Sequence, residues 1–436
     1  MRVVLVDPLR EASYVCPSLG LMYIAAILEE KHMTVEIVEL RFLKRGWADL
    51  KKIISEKSPD IVGATTYTYT FPEAVRVMKI AKTVDPGTLT VLGGPHVTFT
   101  INETLMMYPY VDVVVRGEGE YTMLELLKAY DKNIELKKVR GIAFKKDKKI
   151  VKTPSRPLIS NLDAIPFPAR HLVSMNRYRK IENSTTMISS RGCPFKCVFC
   201  ASKAMWSSKI RMRTAKNVVD EMEEIVRKYR FKIVNLADDV FTYDQKRTTE
   251  ICEEIRSRKL DFEWECSTRI GLLSRGLLKK MKTAGCRAIF LGIESGSQEV
   301  LELIGKGTRL EQARRVATWA RELGIEARLS FMLGCPNENQ ETSQKTLNFA
   351  KELGRLSGGT ISFSMLKAYP GTELFKHPKK YRITLIDEEW GQKYGAHLFP
   401  TCETKELNML QRFKIAFNAG QIEYTWNMMR DRRKRG

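Results

Sequence analysis

The sequence is poor in the features that mark membrane and secreted proteins. No stretch approaches the 18 or so uninterrupted apolar residues that cross a bilayer as a helix. The N-terminus, MRVVLVDPLR, runs straight into a strand-like apolar run and a turn, with no secretory leader. No low-complexity tract and no short repeat interrupts the chain. These absences predict a cytoplasmic enzyme-sized protein whose thiols stay reduced, so its nine cysteines point to metal or catalysis and not to disulfides.

What is present suits a globular chain of two or three domains. There are 436 residues, 43% of them hydrophobic and 28% charged, with 73 basic against 51 acidic residues and a formal charge of +22. That excess fits nucleic acid, an anionic membrane surface, an acidic protein partner, or only a lysine-rich exterior. Six cysteines (Cys16, Cys252, Cys266, Cys286, Cys335, Cys402) stand singly and read as buried free thiols.

Two alternating series organise the chain. The first runs RVVLVD, GLMYIAAILEEK, TVEIVEL, ADLKKIISEKS, DIVGATTY, PEAVRVMKIAKTVD, LTVLGGPH, VDVVVRG and TMLELLKAY. Apolar β-branched runs bounded by Gly, Pro and Asp alternate with 3.6-residue periodicity, which predicts a five-stranded doubly wound α/β domain over 1–140 with its ligand at the carboxyl ends of the strands. A lysine-studded hairpin (GIAFKKDKKIVKTP) and a proline-rich connection fill 141–180. The second series, over 181–375, has six strand candidates (TTMISSR, KIVNLAD, DFEWECST, RAIFLGIES, ARLSFMLG and TISFSML). Six β/α units predict an open partial barrel with function at the C-terminal rim. Residues 376–436 read as a small helical region ending in the basic tail Arg432–Arg435. Within it Leu407, Leu410, Phe413 and Phe417 fall at helical spacing, the mark of a packing face.

The most informative stretch is RGCPFKCVFCAS, with Cys193, Cys197 and Cys200 directly after the first barrel strand. Three thiolates at this spacing can wrap one face of an iron–sulfur cubane and leave one iron open. A zinc site would want a fourth Cys or His nearby, but His171 lies well upstream of the loop and the next cysteine is Cys252. CPFKCVFC resembles the CxxxCxxC loop of the radical S-adenosylmethionine superfamily. The segments NLADDVFTYD, WECSTRIG, FLGIESGSQEVLELIGKG, FMLGCPNENQET and YPGTEL resemble that family's later motifs, in order and at strand ends. The resemblance implies that Cys193, Cys197 and Cys200 ligate a 4Fe–4S cluster whose fourth iron takes S-adenosylmethionine. It implies cofactor contacts from Phe199, Asp238 (with Asp239 beside it), Arg269, Glu294 and Ser295. Reduction of the cluster would yield a 5′-deoxyadenosyl radical, with electrons from a donor such as ferredoxin or flavodoxin.

The first domain resembles the cobalamin-binding domain of one branch of that superfamily, through PSLGLMYIAAILEE, LGGPHVTF and RGEGEYT. The implied cobalamin contacts are Thr65, Thr66, Gly93, Gly94, Pro95, His96, Gly117, Glu118, Gly119 and Glu120. No D-x-H-x-x-G occurs, so the lower-ligand histidine of mutase-type domains is missing, and His96 reads as hydrogen-bonding or structural. A flavodoxin-like domain or a nucleotide-free docking module are the competing readings. The branch implies radical C-methylation with cobalamin as methyl carrier, a peptide or protein substrate being favoured and methyl-coenzyme M reductase the example. The alternative is a non-methylating cyclase or oxidoreductase acting on a lipid or tetrapyrrole. A methylthiotransferase acting on RNA is set aside, since the first domain has only Cys16 and the tail is helical; nucleic acid is not an expected partner. The charge leaves an acidic protein or anionic lipid as candidate docking partners.

Overall fold

The computed structural model describes residues 1–8, 15–386 and 390–435, and among these the side chains of residues 392, 393 and 432–435 are not described. The basic tail Arg432–Arg435 therefore lies outside the described side chains. The chain forms two compact units, one built on Met1–Glu182 together with Trp390–Gln392 and the other on the remainder.

In the first unit the strands Arg2–Asp7, Thr34–Glu39, Ile61–Thr65, Leu89–Gly93 and Val113–Val115 form a parallel sheet. Their β-branched runs are buried on both faces: Val3, Val4, Val6, Ile61, Val62, Val113 and Val114 are almost wholly enclosed. Strand Arg2–Asp7 lies between Thr34–Glu39 and Ile61–Thr65, so the winding reverses there and the ligand crevice belongs at those carboxyl ends.

The sheet has seven strands, not the five expected. The hairpin assigned to the connection pairs antiparallel with the sheet, Val113 opposite Phe144 and Val115 opposite Ile142. The physical reason is burial: Ile142, Ala143 and Phe144 cover what would otherwise be a bare apolar edge at Val113–Val115. Asp147 and Lys148, both at positive φ, make the tight turn, and Lys145, Lys146, Lys148 and Lys149 project into solvent. The proline-rich stretch is extended, as expected, but it is strapped along the first unit. Ile159 N donates to Glu118 Oε2 (2.7 Å), Ala169 N to Met22 O (3.1 Å) and Ser174 N to Glu39 Oε2 (2.8 Å).

The second unit carries the six-stranded parallel sheet, in sequential order from Ser184–Met187 through Ile233–Leu236, Glu263–Thr268, Cys286–Glu294, Glu326–Leu333 and Thr360–Met365. An open barrel has two edge strands, and the C-terminal helix Met409–Arg435 covers the edge of Thr360–Met365 with side chains. Glu423 Oε2 accepts from Phe363 N (2.9 Å), and Asn427 both accepts from Ile361 N (3.3 Å) and donates to Ile361 O (3.0 Å). Asn427→Ala would leave both backbone groups of Ile361 without partners, so urea unfolding should show a loss of about 2 kcal/mol.

The C-terminal region is not wholly helical, since Ile383–Leu385 pairs antiparallel with Cys402–Thr404 before the helix begins. The expected packing face also divides. Leu407 is fully buried, but Leu410, Phe413 and Phe417 are 65%, 41% and 67% exposed. The helix instead buries its far side, through Arg412, Ile415, Ala416 and Ala419. The single cysteines of the second unit, Cys252, Cys266, Cys286, Cys335 and Cys402, are buried free thiols as expected, while Cys16 is half-buried.

Candidate functional site

The cysteine loop lies at the C-terminal rim of the second sheet, pinned to the turn that follows helix Gln298–Leu303. Val198 N donates to Ile304 O (3.1 Å) and Leu374 N to Val198 O (3.3 Å), while the Cys197 thiol lies 3.6 Å from Gly305 O. Two glycines permit this closeness. A Cβ on Gly305 would sit 2.7 Å from Lys196 O, and one on Gly192 2.5 Å from Lys209 O, both at positive φ.

The three thiols are half-buried and free. Burial pushes the Cys193 thiol up to about 11, and it also raises Cys200. A bare thiolate is therefore disfavoured at Cys193 and Cys200, and metal coordination is what would stabilise one there. Among the described residues no three His, Cys, Asp or Glu side chains gather about one point as a single metal ion requires. A cubane asks for something else, one thiolate on each of three separate irons, and this donor set fits it.

Arg269 follows strand Glu263–Thr268 and is 8% exposed. Its guanidinium lies 3.8 Å over the Phe195 ring and donates to Cys197 Sγ (3.6 Å). Glu294 ends its strand at φ +70°, where the pairing register with the next strand shifts. Its Oε1 accepts from Lys306 Nζ at 2.8 Å, in a buried pair. A Cβ on Gly292 would fall 2.3 Å from that carboxylate and 2.7 Å from the ammonium, so any side chain there would displace the pair. The structure thus gathers Cys197, Arg269, Glu294 and Lys306 about residues 305–307. Lys306 and Phe195 were missed, although both stand inside quoted motifs.

Other expected contacts are engaged elsewhere. Asp238 is buried and accepts from Ser189 N, Ser189 Oγ and Ser190 Oγ at 2.5–2.6 Å, which fastens the end of the first barrel strand. Asp239 accepts from Ser202 Oγ (2.7 Å). Ser295 Oγ lies 3.1 Å from Thr346 Oγ1 and accepts from Ser297 N, so its hydroxyl serves the strand-to-helix turn. The Phe199 ring packs against the cluster that holds Leu301, Ile304 and Cys402.

In the first unit the expected residues line the carboxyl ends of the sheet. Thr66 clasps the neighbouring strand end: its N and Oγ1 both donate to Gly93 O (2.8 and 2.7 Å), and Oγ1 accepts from Val97 N. Thr65 Oγ1 would lie 3.0 Å from a Cβ on Gly94, whose φ is +101°. Pro95 opens a five-residue helix. Gly117, at φ +69°, has open space where a side chain would stand, and a Cβ on Gly119 would touch Ile24. Glu118 holds Ile159, and Glu120 is the buried first residue of helix Glu120–Asp131. Tyr67, unremarked in the sequence, is 47% exposed at the reversal of the sheet and stacks on Tyr69 at 5.7 Å. Its open face and the space at Gly117 fit a large flat ligand.

His96 is packed inside the first unit, its Nε2 without a hydrogen-bond partner among the described residues. It is 2% exposed, with Phe71 at 4.2 Å, Trp390 at 5.1 Å and Nδ1 3.3 Å from Thr68 Oγ1. Burial lowers its pKa from 6.5 to about 3. Protonation therefore favours the unfolded chain: the contribution is intact above pH 6.5 and is lost as pH falls toward 3. His96→Phe should reduce the loss of stability between pH 7 and pH 5 by about 2 kcal/mol, read from urea midpoints.

Residues 187–350 match the radical SAM superfamily and residues 6–127 the B12 binding domain. An uncharacterized methyltransferase of Pyrococcus horikoshii is 37% identical over 92% of this chain and 86% of its own length. An anaerobic magnesium-protoporphyrin IX monomethyl ester cyclase of Rubrivivax gelatinosus is 35% identical, over 75% of this chain and 60% of its own length. Among solved structures the radical S-adenosylmethionine methyltransferase TsrM of Kitasatospora setae shares the fold, with a TM-score of 0.76 and 18% identity over 95% of this chain and 82% of that one. The chain belongs to the cobalamin-binding radical S-adenosylmethionine enzymes, in their methyltransferase branch, and its cofactors are a 4Fe–4S cluster, S-adenosylmethionine and cobalamin.

Proposed function

We propose that the protein methylates an unreactive carbon of a peptide or protein, with methyl-coenzyme M reductase as the concrete candidate substrate. The observation that carries the reading is a pinned loop of three free thiols at the barrel rim, in a chain whose other unit matches a B12-binding domain. A 4Fe–4S cluster with S-adenosylmethionine would supply radical hydrogen abstraction from carbon, and cobalamin would supply a methyl carrier.

The chain's own residues hold and orient. Cys193, Cys197 and Cys200 would supply three thiolates to the cluster and leave a position open to S-adenosylmethionine. Arg269, flattened on Phe195, presents a planar fork suited to a carboxylate. Glu294, steadied by Lys306, offers an acceptor to ribose hydroxyls. In the first unit the Thr66–Gly93 clasp and Gly94 shape a backbone floor for cobalamin, and Tyr67 covers it with an aromatic face. The protruding lysine hairpin suits an acidic protein surface.

The cyclase relative supports a second reading, ring closure without net methylation. Anaerobically reconstituted protein, given methyl-labelled S-adenosylmethionine and extract from cells lacking the gene, separates them. Label in protein is the expected result. Label in lipid or a small molecule would overturn the substrate class, and 5′-deoxyadenosine without labelled product would favour the cyclase.

A further inference from the structure

We propose that the C-terminal helix seats the protein on an anionic lipid surface. The helix leaves a row of large apolar side chains in water. Leu410, Phe413, Phe417 and Tyr424 are 65%, 41%, 67% and 70% exposed. Their spacing of three, four and seven residues puts them on one stripe, about 21 Å long at 1.5 Å per residue. The stripe borders a shallow groove of about 920 Å³ formed with Leu398, Lys414 and Gly420. Phe413 is braced edge-on by Phe399 at 5.5 Å, so this ring is held in its exposed position.

Basic side chains surround the helix start. Lys376, Lys379, Lys380, Arg382, Lys405 and Lys414 are all exposed, and the only acidic partners recorded for them among the described residues are Glu373, for Lys376, and Glu406, for Arg382. Lys405 N donates to Arg382 O (3.2 Å), which ties the 376–382 segment to the helix start. Cations around an apolar stripe are what an interfacial helix presents to acidic headgroups. A second copy of the chain is disfavoured as occupant, because each copy carries a formal charge of +22 and brings the same cations. Among the described residues no helix is long and apolar enough to cross a membrane, so the association is peripheral.

The test is co-sedimentation of the full chain, with its cluster reconstituted, on vesicles of phosphatidylcholine alone or with phosphatidylserine at about 30%. It needs no turnover, so its outcome is independent of the reaction. The expected result is binding to the phosphatidylserine vesicles at low salt, at least about tenfold weaker for the Leu410→Ser, Phe413→Ser, Phe417→Ser triple variant. Lys379→Glu with Lys405→Glu should weaken it as well. Both variants should keep the wild-type circular dichroism, since they alter only exposed side chains. The proposal is overturned if wild type stays in solution or binds phosphatidylcholine equally. It is overturned too if the triple variant binds as wild type does, or if the stripe instead supports a dimer that the triple variant abolishes in light scattering.

Discussion

Cys197→Ala should abolish both cluster assembly and the formation of 5′-deoxyadenosine. Its sulfur lies 3.6 Å from Gly305 O and takes the Arg269 guanidinium at 3.6 Å, so it occupies the meeting point of the cysteine loop, the 305–307 turn and the third strand. Two remaining thiolates cannot hold a cubane with one open iron, and the burial that raises Cys193 then favours the thiol form. Iron and sulfide content after anaerobic reconstitution should fall to background, with 5′-deoxyadenosine at the level of an enzyme-free blank. Cys252→Ala is the matched control. That thiol is buried on helix Gln245–Ser257, and burial pushes it up to about 12; its loss should cost stability and leave the cluster intact. A Cys197→Ala protein that still forms 5′-deoxyadenosine would refute the assignment of the loop.

Gly94→Val should remove cobalamin binding while sparing the cluster. The residue sits at φ +101°, which a β-branched side chain scarcely adopts, and its Cβ would stand 2.6 Å from Thr66 O and 2.7 Å from Thr66 N. Those contacts are backbone, so nothing flexible can move aside. The clasp between Thr66 and Gly93 must open, and with it the floor at the carboxyl ends of the first sheet. The expected signature is loss of the cobalamin absorbance on gel filtration, unchanged iron content, and 5′-deoxyadenosine formed without methylated product. Retained cobalamin at wild-type affinity would show that the ligand does not rest on this turn.

Most of the two-unit organisation was legible, because hydrophobic runs and helical periodicity alternate cleanly and each buried parallel strand is nearly all apolar. The cysteine loop was legible for a different reason: a donor set must lie close together in sequence to wrap one cluster face. What stayed hidden depends on long-range pairing. Nothing local in GIAFKKDKKIVKTP says that it completes a sheet edge at Val113–Val115. The Phe413 and Phe417 spacing fits a buried face as well as an exposed one, and only the position of strand Thr360–Met365 decides which side of the helix is covered. Asp238 and Ser295 looked like rim ligands, but their oxygens meet Ser189, Ser190 and Thr346, partners that no spacing announces. Lys306 could have been read from the GKG string, had its distance from Glu294 along the turn been considered.

The proposed methyl transfer draws on S-adenosylmethionine both as radical source and as methyl donor. The measurement that tests it most directly is the ratio of S-adenosylhomocysteine to 5′-deoxyadenosine formed by cobalamin-loaded enzyme on its substrate. The account predicts equal amounts of the two, matched to methylated product. Substrate-dependent 5′-deoxyadenosine without S-adenosylhomocysteine would contradict it.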